Sequence, residues 1–142
     1  MGTTFLMETR MYEYRVKRVT KIVDGDTIDV EIDLGFDISY SQRVRLNGID
    51  TPESRTTNLE EKKLGLEVKE YLKHRLEGKT NIVIKTEKLD SSEKYGRILG
   101  TLTVDGVSIN QEMVDKGYAW GYDGGTKAKD FEVLKAKRAL NN

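Results

Sequence analysis

The chain has 142 residues, 37% of them hydrophobic and 34% charged, with a single proline; this suits one folded domain with its own core and excludes an unstructured polar tract. Cysteine is absent, which removes disulfides, thiolate zinc sites and cysteine nucleophiles. Lys plus Arg and Asp plus Glu both number 24, so the bulk positive field of a tight nonspecific nucleic-acid binder is missing, although a divalent cation and a few aimed arginines can supply charge locally.

The opening stretch from Met1 to Arg15 lacks the run of about seven apolar residues that a signal-peptide core needs, and no run approaches the ~18 of a membrane span. The expectation is a chain that has no membrane partner and stays cytoplasmic unless a leader precedes it. Its polar first residues, Met1 to Met11, read as a flexible segment ahead of a domain spanning 12–142.

Val16, Val19, Ile22, Ile28, Val30 and Ile32 mark two strands, with strict alternation after Asp26. Val23-Asp24-Gly25 supplies the reversal between them. Residues 34–41 read as a loop or broken strand. A third strand over 42–49 has Val44 and Leu46 on one face and Arg43 and Arg45 on the other, and ends at the turn-forming Asp50-Thr51-Pro52. Between Asn58 and Leu76, apolar residues at 64, 68, 71, 72 and 76 have helical spacing, and Gly78 marks the stop. Residues 81–87 and 97–104 return to strand patterning before an Asp105-Gly106 turn. Ser108 and Gln111 form a capping box for a short helix that Gly117 halts. A glycine-rich run over 121–125 then leads to a lysine-rich final helix. This order predicts an α+β domain, mainly β: a five-stranded barrel with about three helices packed on it.

Three segments could carry chemistry. Asp24-Gly25-Asp26-Thr27 alone reads as a capped hairpin turn. The stretch from Arg45 to Glu53 places an arginine ahead of two carboxylates that flank a proline-fixed turn, and Glu93 to Arg97 reads as a solvated loop with a basic strand end. Taken together they bring three acidic side chains and two arginines to strand ends. The lone histidine, His74, falls on the predicted helix, where a structural or surface role is expected.

The motifs VDGDT, RLNGIDTPE and EKYGR, in this order and at these separations, resemble those of the staphylococcal (micrococcal) nuclease family, thermonuclease included; the resemblance runs from about Tyr12 to Ala139. It implies an OB-fold barrel and a calcium-dependent endonuclease that hydrolyses DNA and RNA, favours single-stranded or unpaired regions, leaves 5′-hydroxyl and 3′-phosphate ends, and acts as a monomer. By the same resemblance Asp26, Asp50 and the Thr51 carbonyl would bind Ca2+, a hard cation that accepts oxygen donors in loose geometry. Glu53 would take a proton from the attacking water or orient it, and Arg45 and Arg97 would grip the phosphate. Lys94 and Tyr95 match substrate contacts, and Tyr122 falls where the family places stacking tyrosines, although the GYDGG run departs from the family pattern. The alternative is a catalytically inactive relative serving as a nucleic-acid or protein interaction module.

Overall fold

The computed structural model describes residues 12–86, 97–122 and 129–141. The expectation for Met1 to Met11, and most of the glycine-rich run after Gly121, lie outside these residues. Strands β1 (Tyr12–Asp24), β2 (Thr27–Asp33) and β3 (Ser39–Leu46) form an antiparallel meander, and β5 (Ile82–Thr86) pairs with both β1 and β6 (Ile98–Val104). A parallel pairing of β3 with β6, Arg45 opposite Leu99, closes the five strands into a barrel. Two-residue strands β4 (Ile49–Asp50) and β8 (Trp120–Gly121) pair separately, and β7 (Val107–Ser108) extends β6. Three α-helices occur among the described residues: α1 (Leu59–Leu76), α2 (Ile109–Asp115) and α3 (Phe131–Leu140). The architecture is the α+β, five-stranded OB-type barrel expected from the sequence.

The spacing along β1 has a physical explanation. Val16, Val19 and Ile22 recur every third residue, yet they face Ile32, Val30 and Ile28, which alternate every second residue; the mismatch is absorbed by three register shifts along the hairpin. Each added residue sharpens the bend and twist of β1, which is how one long strand can pair with β2 over one stretch and β5 over another. Ile28, Val30, Val44, Leu46, Ile84, Leu102 and Val104 fill the interior, each at most 1% exposed.

Two boundaries differ from the sequence reading. The third strand begins at Ser39 rather than 42, because the 34–41 segment contains only a tight turn in which the Leu34 amide donates to the Ile38 carbonyl and the Ile38 amide to the Gly35 carbonyl. It also ends at Leu46, since Gly48 at φ 79° breaks it from β4, a conformation that glycine adopts without penalty. At the first hairpin, β1 runs through Asp24 and the turn falls on Gly25 and Asp26. Gly25 is there for space: a Cβ at that position would stand 2.3 Å from a Val68 methyl and 3.0 Å from Thr51 Oγ1.

Helix α1 starts where expected, with the Asn58 side chain accepting from the Glu61 amide, and buries Leu64, Val68, Leu72 and Leu76 against the barrel. Ser108 caps α2 as expected, its Oγ accepting from the Gln111 amide at 3.2 Å, but the reciprocal half of the capping box is not made, because the Gln111 side chain donates to Asp115 at 2.9 Å instead. Glu112 of α2 joins the two helices: its carboxylate accepts from Arg75 at 2.8 and 3.2 Å and from the Tyr71 hydroxyl. Burial pushes the Glu112 carboxyl up, but the Arg75 and Tyr71 hydrogen bonds outweigh it and hold it below the ordinary glutamate range, while burial and the Glu112 charge push the Tyr71 phenol up. Tyr71 stacks on Tyr118, and the Arg138 guanidinium of α3 lies 4.4 Å from the Tyr118 ring.

Two stability measurements follow. Gly65 of α1 faces the backbone of the segment carrying Glu53, and a Cβ there would lie 2.5 to 2.7 Å from Glu53 C, Glu53 O and Ser54 N. Gly65→Ala is therefore expected to lose about 1–3 kcal/mol in urea denaturation through overpacking, although the same change at an open helical site gains roughly 0.5–1; a gain would show that the close approach is absent. For Glu112, a folded-state pKa below the unfolded value means that its contribution is complete above the ordinary glutamate range and fades as pH falls through the depressed value. Glu112→Gln should thus cost about 2 kcal/mol near neutrality, with the gap from wild type closing in acid; a gap that widens toward low pH contradicts the assignment.

Candidate active site

The barrel end at the β1–β2 turn gathers the charged residues singled out in the sequence. Asp24 ends β1, Asp26 lies in the turn and Thr27 opens β2 opposite Arg45 of β3. The Leu46 amide donates to the Asp26 carbonyl at 2.8 Å and locks the turn to β3. Asp50 lies in β4, and Thr51, Pro52 and Glu53 follow it. Arg97 immediately precedes β6, whose parallel pairing begins with Val44 opposite Ile98 and so brings Arg97 to the same barrel end. Asp24, Asp26, Arg45, Asp50, Thr51, Glu53 and Arg97 line one recess of about 150 Å³.

Arg45 occupies its centre, the side chain 8% exposed, with Nη2 3.7 Å from Asp26 Oδ2 and 3.9 Å from Asp50 Oδ1. Its Nη1 donates to the Leu46 carbonyl at 2.8 Å, which fixes the plane of the guanidinium. The sequence alternation correctly puts Arg45 on the face opposite Val44 and Leu46, but the residue is nonetheless buried at 7% exposure. Asp26 is held by the Thr27 hydroxyl at 3.0 Å and the Thr51 amide at 3.3 Å. Both aspartates thus flank the same guanidinium, that of Arg45.

Glu53 is mounted differently. Its carboxylate is 55% exposed, while its amide donates at 3.0 Å to Glu61 Oε2 of α1. Lys129 Nζ donates to the same Glu61 oxygen at 2.7 Å and stands 3.7 Å from Glu53 Oε1. Burial pushes the Glu61 carboxyl up, but the bonds from Lys129 and the Glu53 amide prevail and leave it below the ordinary range. The bond to Glu61 in turn raises the Lys129 ammonium, against its burial and with help from the Glu53 and Asp50 charges. A lysine next to α3 thus helps fix the loop that carries Glu53.

The donor set bears on a metal. Among the described residues no three His, Cys, Asp or Glu side chains are grouped to hold an ion by themselves. The recess offers instead oxygen donors only: carboxylates and Thr51 Oγ1, which is buried with no hydrogen-bond partner. Its lining has four carboxylates against two guanidinium groups, a formal excess of two negative charges. Such a site fits a hard divalent cation that keeps waters of its own, and fits a soft metal poorly.

The remaining sequence candidates fall elsewhere. Lys94 and Tyr95 lie outside the described residues. Tyr122 does not line the recess; it is half-buried past β8, its amide donating to the Gly48 carbonyl at 2.8 Å. His74 is exposed on α1, 3.1 Å from Glu70. Asp24, read as a turn cap, turns out to line the recess and accepts from the Ser54 amide and hydroxyl, with Arg55 3.6 Å away. Glu61 and Lys129 escaped notice, because 68 residues separate them and no local pattern links them.

A family model described as staphylococcal nuclease homologue matches residues 43–139. Among curated relatives, a thermonuclease of Staphylococcus hyicus is 32% identical over 104 residues, covering 72% of this chain and 56% of its own length. An uncharacterized endonuclease of Escherichia coli is 36% identical over 107 residues, with 75% and 60% covered. An uncharacterized protein of Bacillus anthracis is 37% identical over 101 residues, with 71% and 44% covered. The chain therefore spans about half the length of these relatives. With the family match running from β3 through α3, and the barrel and charged recess as described, the chain belongs to the staphylococcal nuclease homologue family.

Proposed function

We propose that this protein is a calcium-dependent endonuclease that hydrolyses phosphodiester bonds of DNA and RNA, favouring single-stranded or unpaired regions. The observation that carries the reading is the recess itself: a half-buried aspartate, Asp26, and a buried one, Asp50, converge on one arginine, with a second arginine and an exposed glutamate in the same lining. An excess of two negative charges repels a phosphate until a divalent cation offsets it, so the composition of the recess favours a metal-assisted reaction over simple anion binding. The names of two relatives, a thermonuclease and an uncharacterized endonuclease, point the same way.

In this reading Asp26, Asp50 and the Thr51 carbonyl hold the calcium ion. Bound there, the ion supplies positive charge to the phosphoryl oxygens and an orienting site for water. Arg45 and Arg97 hold the phosphate with paired donors that strengthen as its equatorial oxygens gain charge. Glu53, kept accessible while its backbone is pinned to Glu61, accepts a proton from the attacking water. The new bond joins the water oxygen to phosphorus, the bond from phosphorus to the 5′ oxygen breaks, and that oxygen takes a proton from solvent. The products are a 3′-phosphate and a 5′-hydroxyl. The second reading, an inactive interaction module, is disfavoured because Asp26, Arg45, Asp50, Glu53 and Arg97 are all present and share one recess.

Single-stranded DNA incubated with the protein and calcium should be cut, and a chelator should abolish cutting. Arg97→Ala and Glu53→Gln should each lower the rate by about 10²–10³ without changing the melting temperature by more than a few degrees. Cutting that persists in the chelator, or that proceeds at the wild-type rate in both variants, would remove the assignment; binding without any cutting would establish the module instead.

A further inference from the structure

A second concavity, about 570 Å³, lies between β1 and the C-terminal half of α1. Lys17 and Lys21 line one wall, Lys69 and Lys73 the other, with Lys79 at the end. Among the described residues none of these five ammonium groups has a carboxylate within ion-pair distance, whereas Lys85, Lys129 and Lys135 each do. Two acidic residues also line the groove, Glu70, whose carboxylate lies 3.1 Å from His74, and Glu77, whose backbone amide caps the helix, so the lysines outnumber the carboxylates five to two. In a chain of zero formal net charge, five lysines against two glutamates around one groove leave a local excess of positive charge, which a bound polyanion would offset. The floor is apolar, built from Val19, Ile22, Leu76 and Ile82.

Both walls lead to the recess. β1 continues from Lys21 into Asp24, and α1 runs from Gly65, packed on the Glu53 backbone, to Lys69 and Lys73, about 6 and 12 Å further along its axis. A polynucleotide strand places a phosphate every ~3.4 Å in a duplex and more widely when extended, so one strand could span both features.

We propose that this groove is a second polynucleotide-binding track, taking the phosphates of a single strand on its lysine rim and the bases against its apolar floor, several nucleotides from the bond that is cut. The identity of the ligand rests on the nuclease reading above; the groove itself does not.

The test measures binding, in chelator, of a labelled oligothymidine of about twelve nucleotides to wild type and to the triple variant Lys17→Gln, Lys69→Gln, Lys73→Gln, all three half-exposed or exposed positions. Losing three phosphate contacts should flatten the slope of log affinity against log salt by about two, so that the wild-type advantage shrinks roughly twentyfold from about 50 to 200 mM salt. A trinucleotide, too short to reach the groove, should be cut at the wild-type rate by the variant in calcium. Equal slopes in the two proteins overturn the proposal. So does displacement of the oligonucleotide by polyglutamate as effectively as by unlabelled oligothymidine, which would assign the groove to an acidic protein. Failure of wild type to cut any substrate refutes the nuclease reading, while the salt slopes still decide the groove.

Discussion

A guanidinium buried between two aspartates is the arrangement around which this barrel end is organised. Arg45 is 8% exposed and cannot be left without counter-charge, because an uncompensated buried ion costs several kcal/mol. Asp26 and Asp50 supply it from different parts of the chain, one from the β1–β2 turn and one from β4. Within the recess the four carboxylates outnumber the two guanidinium groups, Arg45 and Arg97. The outer pair, Asp24 and Glu53, has Arg55 and Lys129 within 4 Å at the edge, which leaves Asp26 and Asp50 sharing Arg45 in the interior. Stability would be served by fewer acids, and their presence is more easily understood as the requirement of a bound cation.

Holding those groups within a few ångströms takes contacts that lie well outside the recess. The register shifts in β1 bend it so that Asp24 and Gly25 reach the end of β3. Gly25 then admits Val68 and Thr51 at distances no side chain would allow, and Gly65 admits the Glu53 backbone. Beyond these packing contacts, Glu61 accepts from the Glu53 amide and from Lys129, which couples the loop after β4 to the segment ahead of α3. Glu53 is consequently exposed at its carboxylate yet fixed at its backbone, as a group that must meet water at a defined place requires.

How much of this the sequence displayed depended on whether the determining contact was local. Helix α1 was readable from its apolar period and its Asn58 start, and the α2 cap from Ser108 and Gln111, since both depend on neighbours three or four residues away. The Asp26, Arg45, Asp50, Glu53 and Arg97 constellation was visible as motifs. Its convergence was expected only through the family resemblance, because no local pattern shows the parallel β3–β6 closure on which it depends. The three-residue spacing of Val16, Val19 and Ile22 gave strand without revealing that each step is a register shift. Strands β4 and β8 are two residues each, too short for any period, and the Glu61 to Lys129 bond joins residues 68 apart.

Zero net charge conceals a separation of charge that matters more than the total. The acids at the β1–β2 turn and the lysines along β1 and α1 occupy adjoining stretches of the fold. Screening limits exposed charges to influence over roughly 8–10 Å at ordinary salt, so the two regions act nearly independently even on a domain this small. A uniformly basic protein would hold polyanions everywhere on its surface and release them slowly. Confining positive charge to one groove, and reserving the recess for a cation, lets a neutral chain attract a phosphate strand along a path without binding it indiscriminately, and α1 is the element that couples the two because Gly65 and Lys69 stand one turn apart on it.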